Sequence, residues 1–192
     1  MEFLYSLGSC MKGKKINMAI YQFYLVVIPR VGLLMKCGRI PERIIINTNS
    51  GYFESMTKEY WNLADVDSNK IVLEIDQLIS RAQYGNNEIV HSWKYYAESL
   101  DIDAFMCLNQ ETSKIEELSF RTDLREENLY FLLNMLDLGK KYDWLFMDRN
   151  GILANPNIEE IIELIKKSNN YRFLKDPYKY IKGLNAGNNE KE

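Results

Sequence analysis

A single histidine, His91, limits the chemistry that this chain can perform. It lies in the segment Ile89–Trp93, and at a strand period of two residues its side chain shares a face with those of Ile89 and Trp93. Ser92 points to the opposite face, so the two neighbours do not predict a nucleophile with its base. Metal sites that need two histidines are excluded. We expect a half-buried His91 that makes one hydrogen bond.

The segment Arg121–Arg125 reads Arg-Thr-Asp-Leu-Arg and leads from a predicted strand into a predicted helix. One interpretation is structural: Thr122 or Asp123 caps the helix, and an arginine pairs with a nearby carboxylate. The other interpretation is an anion site at the helix N-terminus. A small enzyme or ligand-binding domain, the alternative to the function favoured below, would use a pocket near His91 or near Arg121–Arg125.

Other patterns with known chemistry are missing from the sequence. It contains no glycine-rich phosphate-binding motif. Asp148–Gly151 resembles the start of a calcium-binding loop but lacks the later acidic ligands, so it is interpreted as a hairpin turn. The three cysteines, Cys10, Cys37 and Cys107, are odd in number and widely spaced, which indicates free thiols in a reducing compartment. The sequence predicts no catalytic residue, cofactor or metal.

Charge and composition narrow the class of protein further. The chain has 192 residues, of which 46% are hydrophobic and 27% charged, and these values are typical of a folded domain. Its 24 Lys and Arg against 27 Asp and Glu give a net charge of −3, whereas nucleic-acid-coating proteins carry a basic excess. No apolar run reaches the roughly 18 residues that a membrane helix needs. We expect a cytoplasmic protein that binds neither nucleic acid nor membrane.

Acidic side chains are concentrated between positions 98 and 127. Six of them form a candidate partner-binding face: Glu98, Asp101, Asp103, Glu111, Glu116 and Glu117. Carboxylates in a chain with 13 tyrosines suit a surface that binds a basic protein. A solvated rim without a partner is the other interpretation.

Strand candidates are identified by β-branched and aromatic runs between turn residues. Tyr21–Ile28 is apolar on both faces, which predicts an interior strand, and the same is expected for Ala104–Leu108. The remaining candidates are Val31–Lys36, Arg43–Asn47, Glu88–Tyr96, Ile102–Gln110, Ile115–Thr122 and Trp144–Asp148, the last followed by the hairpin-turn dipeptide Asn150-Gly151.

The loop Glu111–Lys114 predicts a hairpin whose register follows from its apolar residues. Pairing Leu108 with Leu118 and Met106 with Phe120 gathers these four side chains on one face of the sheet. This register requires a loop of three or five residues, or a β-bulge.

Apolar residues at helical spacing predict four helices, at residues 68–84, 124–140, 157–168 and 176–184. Asn157 with Glu160 supplies a cap for the third, and Asp176 followed by Pro177 starts the fourth. Without a linker or a repeat, these elements predict one α+β domain over residues 18–186, with a largely antiparallel sheet. Residues 1–17 are expected to form an N-terminal arm, with Met18 as an alternative start, and residues 187–192 a frayed tail.

The order of elements in the second half carries a family resemblance. Ser119–Arg125 precedes a helix, the strand Trp144–Asp148 leads to a turn, and a helix from Asn157 to Ser168 is followed by Phe173–Pro177. With the opening strand Tyr21–Pro29, this order resembles small bacterial proteins of the immunity type, which are encoded beside polymorphic or contact-dependent toxins. The resemblance covers residues 19–184 in outline.

This resemblance implies a non-enzymatic intracellular protein that binds and neutralises a cognate toxin domain, and it implies no catalytic residues. A toxin with a basic substrate groove would suit the acidic candidate face. A small enzyme or ligand-binding domain, and a structural subunit of a larger assembly, are the alternatives.

Overall fold

The computed structural model describes residues 21–46, 57–95 and 100–176, which form one α+β domain around an antiparallel sheet of six strands. The strands are β1 (Gln22–Pro29), β2 (Val90–Lys94), β3 (Asp103–Leu108), β4 (Ile115–Asp123), β5 (Trp144–Met147) and β6 (Leu153–Ala154). Their order across the sheet is β2-β3-β4-β1-β5-β6, and every pair is antiparallel. The predicted fold class is confirmed.

The helices of the described residues are short. They are α1 (Arg30–Cys37), α2 (Lys58–Asn62), α3 (Ser68–Asp76), α4 (Tyr130–Lys141), α5 (Ile158–Lys167) and α6 (Asn169–Lys175). α5 confirms the helix predicted at 157–168, and the Asn157 side chain caps it by accepting a hydrogen bond from the Glu160 N–H. Of the helices in the described part of the chain, none has the length and apolarity needed to span a membrane.

β1 is buried on both faces, as its sequence predicts. Leu25 and Val27 point to the inner face, where helices α3, α4 and α5 contribute to the main hydrophobic core. Val26 and Ile28 point to the outer face, into a smaller cluster that contains Leu33 of α1. These two clusters place β1 in the interior of the domain.

β3 is buried on its inner face only. Ala104, Met106 and Leu108 belong to the main core, but Phe105 keeps 37% of its surface exposed and Cys107 is half-buried. The expectation that Ala104–Leu108 is covered on both sides is therefore wrong for these two side chains. The reason is that the described residues of the outer cluster come from β1, β5, β6, α1, α2 and residues 40–46, and none comes from β2, β3 or β4.

The β3–β4 hairpin contains the bulge that the sequence predicts, but in a different register. Met106 lies opposite Leu118, and Ala104 lies opposite Phe120. A register shift between Cys107 and Leu108 then brings Leu108 opposite Ile115. The predicted pairing is thus wrong by two residues. A shift of two leaves every side chain on the same face, so the apolar pattern alone does not distinguish the two registers.

The segment Val31–Lys36, predicted to be a strand, belongs to helix α1. Pro29 ends β1 and has no backbone N–H with which to continue the ladder. Gly32 lets the helix approach α2 closely, since a Cβ there would lie 1.9 Å from the Tyr60 carbonyl oxygen. The strand predicted at Arg43–Asn47 is reduced to a single bridge between Arg43 and Ile152, and Asn47 lies outside the described residues.

Two predicted helices are longer than the observed ones. The helix predicted at 68–84 ends at Asp76, because residues 80–82 form backbone hydrogen bonds with β2 instead. The helix predicted at 124–140 begins at Tyr130, because Asn128 and Leu129 adopt φ of 64° and 49°, which an α-helix does not allow. The predicted helix at 176–184 lies outside the described residues apart from Asp176, as do the predicted arm at 1–17 and tail at 187–192.

Met106→Ala should lower the free energy of unfolding by about 2–5 kcal/mol, since it leaves a cavity in the main core. Phe105→Ala, on the same strand but on the exposed face, should cost less than half as much. Urea unfolding followed by circular dichroism measures both. Equal losses would contradict the one-sided burial of β3.

Candidate functional site

The outer face of strands β2, β3 and β4 is the part of the sheet that the outer cluster leaves open. We call it the open face. Its central pairs are Phe105 opposite Ser92 on one side and opposite Ser119 on the other. The remaining members lie two residues from these on the same side of each strand. They are Val90 and Lys94 in β2, Asp103 and Cys107 in β3, and Glu117 and Arg121 in β4. An exposed aromatic ring thus lies among small and charged side chains.

At one end of the open face, two carboxylates are neutralised by basic side chains. Lys94 donates from Nζ to Asp101 at 2.6 Å. Arg121 donates from Nε to Asp103 at 2.8 Å, and a second guanidinium N–H bonds the other carboxylate oxygen. Arg121 also donates to the Gln22 side-chain oxygen at 3.0 Å. Both acidic residues are therefore parts of ion pairs rather than free charges.

At the other end, near the β3–β4 turn, the negative charge is only partly balanced. Glu116 pairs with Lys58 and accepts from Asn109 at 2.8 Å, and these contacts hold the pKa of Glu116 below its usual value. Glu117 accepts from the hydroxyl groups of Tyr24 and Ser119, which carry no compensating charge. Glu111 is exposed, and within the described residues its carboxylate pairs with no basic side chain.

The structure separates the acidic residues that the sequence groups together. Asp101 and Asp103 lie at the beginning of β3, whereas Glu111, Glu116 and Glu117 lie near its end. Glu117 lies opposite Cys107, four residues along the strand from Asp103, which corresponds to about 13 Å. Phe105 lies between these positions, so the two groups do not form one continuous acidic surface. Glu98, the sixth candidate, lies outside the described residues.

Phe105 is the member of the open face that the acidic pattern does not reveal. A signal for it exists in the neighbouring strand β2, where Ser92 and Lys94 alternate with the buried Trp93. This alternation is typical of a strand with one exposed face. Because Phe105 lies directly opposite Ser92, it shares that exposed face.

Cys107, also on the open face, is a poor nucleophile. Burial, with the negative charges of Glu116 and Glu117, raises the pKa of its thiol. The group is therefore protonated at neutral pH. Within the described residues, no group of three or more His, Cys, Asp and Glu side chains is arranged to hold a metal ion.

His91 lies on the inner face of β2, and among the described residues it has one hydrogen-bond partner, which agrees with the expectation. Its Nδ1 atom lies 2.8 Å from Nη1 of Arg81. The same guanidinium binds both carboxylate oxygens of Asp76 and lies 4.8 Å over the ring of Trp93. Trp93 completes the cluster by donating from Nε1 to Asp76 at 2.8 Å.

This cluster fixes residues 80–82 along the outer edge of β2, the edge strand of the sheet. The Ala82 N–H donates to the Ser92 carbonyl at 2.8 Å, and the Lys94 N–H donates to the Ser80 carbonyl at 2.9 Å. Arg81, between them, forms an isolated bridge with Trp93. The ring nitrogen of His91 that faces Arg81 is thus engaged in holding an edge segment.

The segment Arg121–Arg125 also makes internal contacts. Asp123 is fully buried and accepts from the backbone N–H groups of Asp101 and Arg125, at 2.8 and 2.9 Å. Its burial opposes ionisation, but Arg125 and these N–H groups outweigh it and hold the pKa of Asp123 below its usual value. The predicted pairing of arginine with carboxylate is confirmed. The predicted cap is wrong, because Glu126 accepts from the Phe131 N–H at the start of α4.

Acid should weaken the fold through His91. Burial and then the charge of Arg81 lower the pKa of His91, although Asp76 opposes this change. The folded state therefore disfavours the imidazolium, and stability is lost as the pH falls below about 6.5, the unfolded pKa. His91→Gln, which keeps an acceptor for Arg81, should remove this loss. Urea unfolding between about pH 5 and 8 measures it, and parallel curves for the two proteins would contradict the assignment.

Comparison with known proteins adds no family to this description. No protein-family model, no curated protein and no solved structure matches the chain. The function therefore has to be inferred from the geometry and the charge of the open face itself.

Proposed function

We propose that the protein is a non-enzymatic binding protein that neutralises a toxin domain by covering the toxin's active surface with the open face. One observation carries this proposal: Phe105 is 37% exposed at the middle of a sheet face, whereas Val26 on the same side of the sheet is completely buried. An aromatic centre with a polar and charged rim is the usual anatomy of a protein interface. Phe105 is the anchor of this surface.

The edges of the sheet favour docking on the face rather than strand addition. Residues 80–82 occupy the edge of β2. On the opposite edge, the Leu153 N–H donates to the Glu42 carbonyl at 3.2 Å, and the Ile44 N–H donates to the Gly151 carbonyl at 2.9 Å. A partner strand would have to displace these segments before it could pair with the sheet.

Charge indicates where a partner contributes basic groups. The ion pairs of Asp101 and Asp103 leave little net charge at their end of the open face. In the part of the chain that the structure describes, neither Glu111 nor Glu117, near the β3–β4 turn, forms a salt bridge. A toxin with a basic substrate groove would place that groove over the turn, and Phe105 would contact the groove's apolar wall.

The resemblance of the chain to immunity-type proteins supports the same function. It implies a toxin encoded beside the immunity protein as the class of partner, and an interaction inside the producing cell. The contacts of the side chains that an enzyme would use also favour binding rather than catalysis. The His91, Arg121 and Arg125 side chains, which an enzyme or ligand-binding alternative would use, are each engaged by neighbouring protein groups.

Survival of cells that express the neighbouring gene's product tests the function directly. Co-expression of the wild-type protein should restore growth, and failure to do so would overturn the proposal. Phe105→Glu should weaken binding of the purified toxin about 30-fold or more, which is the effect of an interface hot spot. Tyr130→Glu changes an aromatic residue that is 65% exposed at the first position of α4, and it should leave affinity unchanged.

Charge reversal at the turn tests the predicted orientation of the partner. Glu111→Lys should slow association at low ionic strength and reduce the dependence of the association rate on salt, because electrostatic steering is screened by ions. Glu127→Lys makes the same charge change at an exposed position next to α4 and should have no such effect. Stopped-flow association at several salt concentrations measures both variants. If the association rate of Glu111→Lys depended on salt concentration as steeply as that of the wild type, the turn would not face the partner.

A further inference from the structure

We propose that the protein has a second, independent binding site: a partly open cavity of about 140 Å³ that takes a small carboxylate. Its walls come from three parts of the fold: Gln22–Tyr24 in β1, Asp148–Asn150 in the β5–β6 turn, and Ser168–Asn170 at the beginning of α6. The Asn170 side chain donates to the Gln22 carbonyl and holds α6 against β1. The cavity is therefore built by elements that are fixed to one another.

Arg149 supplies the positive charge of this cavity. Its guanidinium lies 5.2 Å from the centre of the Tyr24 ring, and within the described residues it pairs with no carboxylate. Asp148, the nearest acidic residue along the chain, also lines the cavity, but within the described residues it forms no ion pair with Arg149. The Asp148 carboxylate instead accepts from the N–H groups of Asn150 and Ile152, both at 2.9 Å, and from the Asn150 side chain at 3.0 Å.

The position of Arg149 suits a planar anion. Packing against the Tyr24 ring restricts the guanidinium, so less conformational entropy is lost when an anion binds its N–H groups. The Tyr24 hydroxyl donates to Glu117 at 3.3 Å. Burial, together with the charge of Glu117, raises the pKa of Tyr24 to about 12, so this residue adds no negative charge at neutral pH.

The charge and the size of the cavity define the ligand class. The paired N–H groups of the guanidinium match the two oxygens of a carboxylate. An apolar cavity of about 150 Å³ accommodates benzene, so this cavity has room for an acid with a body of that size. The carboxamides of Asn150 and Asn169 provide further hydrogen-bonding groups on its walls. Such a carboxylate can belong to a free small acid or to an acidic side chain of a peptide.

Titration of the purified full chain with defined probes tests this site. Benzoate represents a free planar acid, and N-acetyl-glutamate amide represents an acidic side chain. We expect saturable binding of at least one of them, with amide chemical-shift changes at Tyr24 and Asn150, and the tighter probe identifies the source of the carboxylate. Benzamide, an uncharged analogue of benzoate, should bind at least about tenfold more weakly than the charged probe because it lacks the ion pair.

Two variants separate the site from general charge effects. Arg149→Gln should reduce binding of the charged probe by about tenfold or more, whereas Arg39→Gln removes an exposed arginine outside the cavity and should not. Ionic strength is kept constant with chloride. Absence of saturable binding, or binding that survives Arg149→Gln, would overturn the proposal. Tighter binding of inorganic phosphate than of either carboxylate would overturn the ligand class.

Discussion

Burial of β1 on both faces is the constraint on which the rest of the structure depends. This first described strand lies between β4 and β5, and its inner and outer side chains belong to two different clusters. The outer face of β1 is covered by the next element in the chain, because α1 follows β1 directly and its Leu33 packs in the same cluster as Val26 and Ile28. Residues 40–46 then contribute to the same outer cover. Among the described residues, the outer cluster covers the outer side of β1 and β5 but contains no residue of β2, β3 or β4.

The ion pairs of the open face matter more for holding side chains in position than for the stability of the fold. Asp103 lies directly opposite Arg121, and Lys94 lies directly opposite Asp103. Ion pairs that are partly exposed contribute only about 0–1 kcal/mol each. They do, however, fix long side chains in defined positions around Phe105, and a preorganised surface loses less conformational entropy when a partner binds. The same reasoning applies to Arg149, whose guanidinium is packed against Tyr24.

The elements that could be predicted from the sequence are those in which local pattern and tertiary environment agree. β1 is apolar on both faces and buried on both, and α5 has the cap at Asn157 that its sequence predicts. α1 could not be predicted in this way, because a short apolar run fits a strand or a helix equally well. Its helical form depends on contacts such as that between Gly32 and the Tyr60 backbone.

The candidate site shows the same division between local and tertiary information. His91 could be assigned one hydrogen bond from its place in an alternating strand, but Arg81 as the partner depends on how residues 80–82 meet β2. The acidic residues could be identified from the sequence, but which of them lie close together could not be predicted. Their separation depends on the register and length of β3. The exposure of Phe105 depends on where the outer cluster ends, which the sequence of β3 does not encode.

The central claim is that a protein partner covers the open face. Hydroxyl-radical footprinting of the complex with the proposed toxin partner tests it most directly, because mass spectrometry reads the oxidation of Phe105 and of Tyr130 in the same sample. We predict that the partner reduces oxidation of Phe105, on the open face, and leaves that of Tyr130, the first residue of α4, unchanged. If Phe105 in the complex is oxidised as fast as in the free protein, the open face is not the binding surface.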